Sequence, residues 1–126
     1  MKKSLVLMLM LAATVFLLAA CGSTNNSSKK GGVEVTGEAA TKEIVITATR
    51  YKFDQPVYKI KKGEVTKITL DSPDGIHGII IPDLDQTIDA DKPTVVKIDK
   101  AGEYEFKCSI MCGTGHSKMV AKLVVE

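Results

Sequence analysis

The sequence predicts an all-β domain, a Greek-key β-sandwich of about seven or eight strands, and two observations carry this prediction. The first is a period-two alternation of apolar and polar residues that begins at Lys42 and continues to the end of the chain. The second is the regular recurrence of turn-forming residues between these runs, at residues 62–63, 72–75, 91–93 and 101–102. Short strands with one polar face are typical of sandwiches and barrels.

Each predicted strand is recognised by its apolar positions, which are expected to face the core. In chain order these are Ile44, Ile46 and Ala48; Thr66, Ile68 and Leu70; Val96 and Ile98; Tyr104 and Phe106; and Met119, Ala121, Leu123 and Val125. Because successive side chains of a strand point to opposite faces, the last run places Met119 inward at the start of the final strand. We therefore expect residues 42–126 to form the folded domain.

The N-terminal region has the layout of a secretory signal peptide. Lys2 and Lys3 precede an apolar run over residues 5–20, which is short for a membrane-spanning helix of roughly 20 residues. The run ends in Leu18-Ala19-Ala20-Cys21 and resembles the bacterial lipobox, in which cleavage precedes the cysteine and the thiol takes the lipid. We expect a lipoprotein signal peptide at residues 1–20 and a lipid on Cys21. The alternative is an uncleaved anchor, and both place the domain outside the cytoplasm at the membrane.

Residues 21–41 are expected to connect the lipidated cysteine to the domain as a flexible tether. Residues 22–32 contain no apolar side chain, and eleven such residues have a root-mean-square reach of roughly 20 Å. The pattern over residues 33–41 is compatible with either the tether or a loose first strand.

Charge argues against a nucleic-acid partner. The chain has 17 basic and 15 acidic residues. Residues 1–20 contain two of the lysines and no acid, so the remainder carries 15 of each sign. Nucleic-acid-binding domains instead show clustered Lys and Arg.

The chemically informative stretch is residues 108–119, where four sulfur or nitrogen donors follow the spacing Cys-x3-Cys-x3-His-x2-Met. They are Cys108, Cys112, His116 and Met119. Such soft and borderline donors suit copper far better than magnesium or calcium. Outside the cytoplasm a cysteine pair is either oxidised or bound to metal, and the two cysteines alone leave both states open. A disulfide closing so short a loop gains little from chain entropy, which favours the metal.

The remaining donors each have an ordinary structural interpretation when taken singly. His116 alone would be a solvated loop residue, Met119 a core residue, and His77 a structural residue at the start of a buried strand. Loops distant in sequence gather at one end of a Greek-key sandwich, so His77 can join the other four. A Cys2His2 zinc site is a weaker alternative, because zinc sites need no methionine and usually have more closely spaced histidines.

The stretch resembles the dinuclear copper-A motif of cytochrome c oxidase subunit II and nitrous oxide reductase, written C-S-x-x-C-G-x-x-H-S-x-M. The upstream Asp74 and His77 are similar to the family's Asp-x-x-His. The residues in register are Cys108, Ser109, Cys112, Gly113, His116, Ser117 and Met119. The resemblance covers roughly residues 43–126 and implies a cupredoxin fold.

The resemblance also implies a ligand set for two copper ions. Cys108 and Cys112 would bridge both ions, His77 and Met119 would complete one, and His116 with the backbone carbonyl of Ile110 would complete the other. A mononuclear blue-copper site needs only one cysteine.

Three departures from the oxidase subunit are apparent. The subunit usually has Glu at the position of Ile110, whose carboxylate reaches a magnesium ion at the catalytic subunit. The chain has no tryptophan, although relatives that accept electrons from cytochrome c use an aromatic patch that includes one. A pair of N-terminal spanning helices and a haem-binding Cys-x-x-Cys-His are also missing from the pattern. These departures affect the expected partner and leave the copper ligands unchanged.

The sequence thus predicts a lipid-anchored, extracytoplasmic carrier of single electrons with a dinuclear copper-A-like centre. Its expected partners are a redox protein at the membrane surface, such as a terminal oxidase or a cytochrome, and the membrane itself. It is not expected to be an enzyme, because the sequence has no nucleophile–base pair or phosphate-binding loop. The alternatives are a copper storage or delivery protein for oxidase assembly, and a metal-free sandwich with a Cys108–Cys112 disulfide that serves in adhesion.

Overall fold

The computed structural model describes residues 29–30 and 32–126. The predicted signal peptide, Cys21 and most of the predicted tether lie outside the described residues. Within the described part, no helix is long and apolar enough to cross a membrane. The strands are β1 (Lys29–Lys30), β2 (Val33–Val35), β3 (Lys42–Thr49), β4 (Lys52–Phe53), β5 (Val57–Ile60), β6 (Val65–Asp71), β7 (Gly78–Ile81), β8 (Gln86–Asp89), β9 (Thr94–Ile98), β10 (Gly102–Cys108) and β11 (Val120–Val125).

The strands form two sheets, which confirms the predicted all-β sandwich. One sheet has six strands in the order β1-β2-β9-β6-β3-β4, and the other has five in the order β5-β11-β10-β7-β8. Two neighbouring pairs are parallel, β3 with β6 and β5 with β11, so the chain must cross over between the strands of each pair. The described part has more strands than the seven or eight predicted, because pairs as short as Lys52–Phe53 are too brief to show an alternation.

The core lies between the sheets and is built from the positions that the alternation predicts. On β6, for example, Thr66, Ile68 and Leu70 are at most 1% exposed. At its centre Phe106 packs against Phe53 with ring centroids 5.0 Å apart, in an edge-to-face arrangement, and against Tyr58 at 5.8 Å. Such aromatic pairs stabilise a core by about 0.5–1.5 kcal/mol beyond the area they bury.

Strand register brings three loops to one end of the sandwich. Cys108 at the end of β10 pairs with Ile79, near the start of β7, so the β10–β11 loop lies beside the loop that precedes β7. Thr47 of β3 pairs with Asp71 at the end of β6, so the turn between β3 and β4 is at the same end. We call this the ligand end, because it carries the predicted metal ligands.

The N-terminal part of the described chain joins the six-stranded sheet. Val33–Val35 pairs with β9, and Val33 is fully buried. The segment that the sequence left open between tether and strand therefore includes a strand, and the sheet begins before residue 42. Lys29 pairs with Glu34, which is opposite Lys97 and hence level with Val65. Lys29 thus lies near the end of the sandwich opposite the ligand end, and β1 runs away from the ligand end because it is antiparallel to β2.

Candidate metal centre

The two cysteines lie at the ligand end with their sulfurs facing each other. Cys108 is the last inward position of β10, following Tyr104 and Phe106, and is 3% exposed. Cys112 is half-buried in the following loop. Both are free cysteines, with Sγ atoms 3.7 Å apart. One metal ion can contact both sulfurs at this separation, since thiolate–metal bonds in proteins are about 2.3 Å long.

His77 is buried beside Cys108 and is held in one orientation. Its Nε2 lies 2.8 Å from the backbone oxygen of Asp74, and its Nδ1 lies 3.8 Å from Cys108 Sγ. A carbonyl oxygen only accepts hydrogen bonds, so Nε2 carries the proton and the lone pair of Nδ1 faces the sulfur. A backbone partner of this kind fixes the tautomer that a metal-binding histidine needs.

The second histidine and the methionine lie around Cys112. His116 Nδ1 is 3.8 Å from Cys112 Sγ, and Met119 Sδ is 3.5 Å from the same sulfur. A short 3₁₀ turn at His116–Lys118 makes this possible, because it turns the chain back before β11. The Cys108 N–H donates to the Met119 carbonyl at 3.1 Å, which closes the loop. Met119 itself immediately precedes β11 and is fully buried, as predicted for an inward position.

Ile110 faces the site with its backbone carbonyl, while its side chain is partly exposed to solvent. Its carbonyl oxygen accepts a hydrogen bond from Cys108 Sγ at 3.1 Å, while the side chain is 36% exposed. The structure therefore brings together all six groups predicted from the sequence. Three of them, His77, Cys108 and Cys112, have ligand atoms that all lie within 4.8 Å of one another, a spacing compatible with one metal ion.

The two sides of the site differ in exposure. His77, Cys108 and Met119 are almost fully buried, whereas Cys112 and His116 are half-buried. Burial, followed by the hydrogen bond with Cys108 and the electrostatic interaction with it, raises the pKa of Cys112 above its ordinary value. This raised pKa favours the neutral thiol of Cys112 in the metal-free protein. Metal binding must displace its proton, because the thiolate is the ligand.

Two glycines next to the ligands are needed for close approach, and sequence analysis did not identify their role. Gly75 has a φ of 95°, and a Cβ there would lie 3.0 Å from His77 Nε2. A Cβ on Gly78 would collide with Ser109 Oγ and lie 3.3 Å from two side-chain atoms of Ile110. The Ser109 N–H donates to the Gly78 carbonyl at 3.1 Å, so the two ligand loops touch here through their backbones.

Replacing Gly78 with alanine is expected to destabilise the domain by about 1–3 kcal/mol, the usual cost of overpacking a tight contact. The added methyl group would push residues 109–110 away from His77. Urea unfolding of the metal-free protein measures this loss, with Gly37→Ala as the control because a Cβ at Gly37 meets no atom within 4 Å. Equal stability of the two variants would contradict the close approach at Gly78.

Tyr51 is a further contact that sequence analysis missed. Its ring lies against the backbone of the ligand loop at Gly113 and Gly115, and a Cβ at Gly115 would overlap the ring. The sequence does contain an indication of this contact: two glycines between Cys112 and His116 suggest that another side chain packs closely on the backbone of this loop.

The donor set determines which metals fit. Two thiols, two imidazoles and a thioether favour copper, whereas magnesium and calcium require oxygen donors. Around these donors, three apolar side chains are exposed at the ligand end: Ile76 is 76% exposed, Ile110 36% and Met111 78%. The arrangement is a sulfur-rich metal site with one partly open side and an apolar rim.

Comparison with known proteins agrees with the fold. The family model described as "Cupredoxin-like domain" matches residues 7–125. The periplasmic domain of cytochrome oxidase subunit II from Bradyrhizobium japonicum has 20% identity, with 71% of this chain and 86% of that chain covered and a TM-score of 0.63. A chain from the structure of a heme-copper terminal oxidase dimer has 26% identity, 99% and 98% coverage, and a TM-score of 0.55.

The same fold occurs in a third structure. Amicyanin from Paracoccus versutus has 18% identity, with 77% of this chain and all of that chain covered and a TM-score of 0.51. No match was found among curated proteins.

Proposed function

The chain belongs to the cupredoxin-like domain family, and from this premise we propose that it is a one-electron transfer protein with a dinuclear copper-A-like centre. One observation carries the proposal. Two free cysteine sulfurs lie 3.7 Å apart, and each has its own histidine nitrogen at 3.8 Å. A mononuclear cupredoxin site uses a single cysteine, so the second cysteine–histidine pair favours a second ion.

The ligand assignment is the one that the resemblance to the copper-A motif implies, and the neighbours of each sulfur are compatible with it. Cys108 and Cys112 would be shared by both copper ions. His77 and Met119 would complete one ion on the buried side, and His116 with the Ile110 carbonyl would complete the other. Met119 Sδ and His116 Nδ1 both lie close to Cys112, while His77 and the Ile110 carbonyl lie close to Cys108. Each ion would thus receive one neighbour of each sulfur.

The surrounding protein is suited to electron transfer. Copper supplies the one-electron chemistry when bound, and the chain's part is to hold its ligands still and exclude water. Cys108, Met119 and His77 are anchored in the buried core, between β7, β10 and β11. A rigid apolar surrounding limits the movement of ligands on oxidation and reduction and tunes the potential. The isolated chain is expected to carry electrons and to turn over no substrate.

The apolar rim is the proposed docking face for a redox partner. Ile76, Ile110 and Met111 surround the ligands and are exposed. An apolar face brings a partner close to the half-buried His116 with little charge specificity, which agrees with the balanced charge of residues 21–126. The partner is proposed to be a terminal oxidase or a cytochrome. The likeness to a chain of a heme-copper terminal oxidase supports the first.

The chain is proposed to be a lipoprotein, anchored through Cys21 on the outer side of the cell membrane. The lipobox-like Leu18-Ala19-Ala20-Cys21 after the apolar run supports this proposal. Mass spectrometry of the membrane-extracted protein should find a diacylglyceryl-type mass on Cys21. A soluble, unmodified Cys21 would refute this anchor.

Copper storage or delivery to an oxidase is the second candidate. The exposed Met111 thioether beside the half-buried Cys112 favours it, because soft donors at an open edge can pass a copper ion outward.

Copper stoichiometry combined with EPR tests the proposal. The folded chain, loaded with copper and partly oxidised, should contain two copper ions, be purple in solution and give a mixed-valence EPR signal. One copper with a mononuclear blue or colourless spectrum would refute the dinuclear assignment. Transfer of copper to a metal-free oxidase without stable redox cycling would favour delivery. An intact Cys108–Cys112 disulfide that excludes copper would support the metal-free alternative.

A further inference from the structure

The turn between β3 and β4 supplies no metal ligand, yet it contacts both ligand-bearing loops. Arg50 and Tyr51 form this turn at the ligand end. The first loop is residues 72–77, which ends at His77. The second is residues 109–119, which contains Cys112, His116 and Met119. Register alone places the three loops side by side, and the side chains of Arg50 and Tyr51 reach in different directions.

The turn stands on a fixed base. The Thr47 N–H donates to Asp54 Oδ1 at 2.8 Å and the Asp54 N–H donates back to the Thr47 carbonyl at 2.9 Å. The Tyr58 hydroxyl donates to the same Asp54 carboxylate at 2.6 Å. Burial, followed by this hydrogen bond, raises the pKa of Tyr58, so the phenol remains a donor. Phe53 is anchored against Phe106 in the core.

From this base Tyr51 packs on the second loop. The ring covers the backbone at Gly113 and Gly115, where a Cβ on Gly113 would lie 2.6 Å from Tyr51 Oη. These two glycines span the segment between Cys112 and His116. The His116 and Lys118 N–H groups donate to the Gly113 and Gly115 carbonyls at 3.1 and 3.0 Å, so the ring lies against the same turns that place His116.

Arg50 reaches the first loop instead. Its Nε lies 3.2 Å from Asp74 Oδ1, and the backbone oxygen of Asp74 accepts the hydrogen bond from His77 Nε2 at 2.8 Å. The ion pair is largely exposed, at 64% and 50%, and such pairs stabilise by at most about 1 kcal/mol. Its effect on His77 is therefore expected to be smaller than the effect of Tyr51 on His116.

We propose that Arg50 and Tyr51 are positioning residues that act separately on the two histidines, Tyr51 on His116 and Arg50 on His77. Both ligand-bearing loops thereby pack against one rigid turn, which fixes the distance between His77 and His116. This inference rests on the proposed function only for the copper-loaded protein. The positioning itself is a property of the metal-free chain.

The test is a crossed set of variants read out on each histidine separately. Tyr51→Ala removes the ring, Tyr51→Phe keeps it, Arg50→Gln removes the charge and Arg50→Lys keeps it. Lys67→Gln is the matched control, since Lys67 makes a comparably exposed ion pair with Glu43 at 3.0 Å on β3 and β6, away from the site. The metal-free readouts are the histidine ring signals in NMR and amide hydrogen exchange in the two loops.

In the metal-free protein, Tyr51→Ala should speed exchange of the His116 and Lys118 amides by about tenfold and shift the His116 ring signals. Arg50→Gln should instead shift the His77 ring signals. In the copper-loaded protein, Tyr51→Ala should change the nitrogen hyperfine coupling of His116 and weaken copper binding by about 10–100-fold, as is typical for outer-shell partners. Arg50→Gln should weaken it by at most about fivefold. Tyr51→Phe, Arg50→Lys and Lys67→Gln should match the wild type.

Equal shifts of both histidines in both variants would overturn the separate roles. Wild-type behaviour of Tyr51→Ala in both readouts would overturn the role of Tyr51. If the metal-free effects appear but the wild type binds one copper, the positioning stands and the dinuclear proposal fails. If the wild type binds two coppers and the variants change nothing, the dinuclear proposal stands and the positioning roles of Arg50 and Tyr51 fail.

Discussion

Cys112→Ser is expected to reduce the copper content from two ions to at most one per chain and to abolish the mixed-valence EPR signal. Cys112 Sγ is the atom on which three neighbours converge, Cys108 Sγ at 3.7 Å, His116 Nδ1 at 3.8 Å and Met119 Sδ at 3.5 Å. A serine hydroxyl stays protonated and is a hard donor, so it cannot replace a thiolate shared by two copper ions. Metal analysis and EPR on the same sample measure both effects.

The control for Cys112→Ser is Met111→Leu, one residue away on an exposed side chain, which should keep two coppers and the signal. Because Cys112 is half-buried, serine should cost the metal-free fold little, and unfolding in urea checks that any loss of copper is not a loss of structure. A mixed-valence signal that survives in Cys112→Ser would show that the two sulfurs do not both bridge.

Much of the fold was predictable because strand periodicity is a local property of the sequence. The alternation at Thr66, Ile68 and Leu70 identifies inward positions, and all three are buried. The same logic places Cys108 inward, since it continues the pattern of Tyr104 and Phe106. The meeting of the predicted ligands was expected on different grounds, because loops distant in sequence gather at one end of a Greek-key sandwich.

What the sequence could not provide are contacts set by register between distant strands. The packing of Tyr51 on Gly113 and Gly115 requires that the β3–β4 turn and the β10–β11 loop share an end, and no local pattern states this. The close approach of Gly78 to Ser109 has the same origin. The strand Val33–Val35 was left open because three residues are too few to establish a period.

Phe106→Ala is expected to cause the largest loss of stability, about 3–5 kcal/mol in the metal-free protein. Phe106 is 1% exposed and packs on Phe53 and Tyr58, with ring centroids 5.0 and 5.8 Å away. Truncation leaves a cavity between the two sheets that β10 cannot close without moving. Because small domains are stable by only about 5–15 kcal/mol, this is a large share of the total. Urea unfolding measures it, and Val45→Ala, at a residue 48% exposed on β3, should change stability by less than about 0.5 kcal/mol.

Copper separates the structural role of Phe106 from its influence on the site. A ligand that binds only the folded state stabilises it by about 2.7 kcal/mol at one hundred times its dissociation constant. Phe106 lies two positions before Cys108 on the same face of β10, so a cavity beneath it should also displace the Cys108 sulfur and weaken copper binding. Phe106→Ala should therefore lose more stability with copper at a fixed concentration than without it. Equal losses in the two states would mean that the aromatic cluster supports the sandwich while the metal ligands are held by the loops alone.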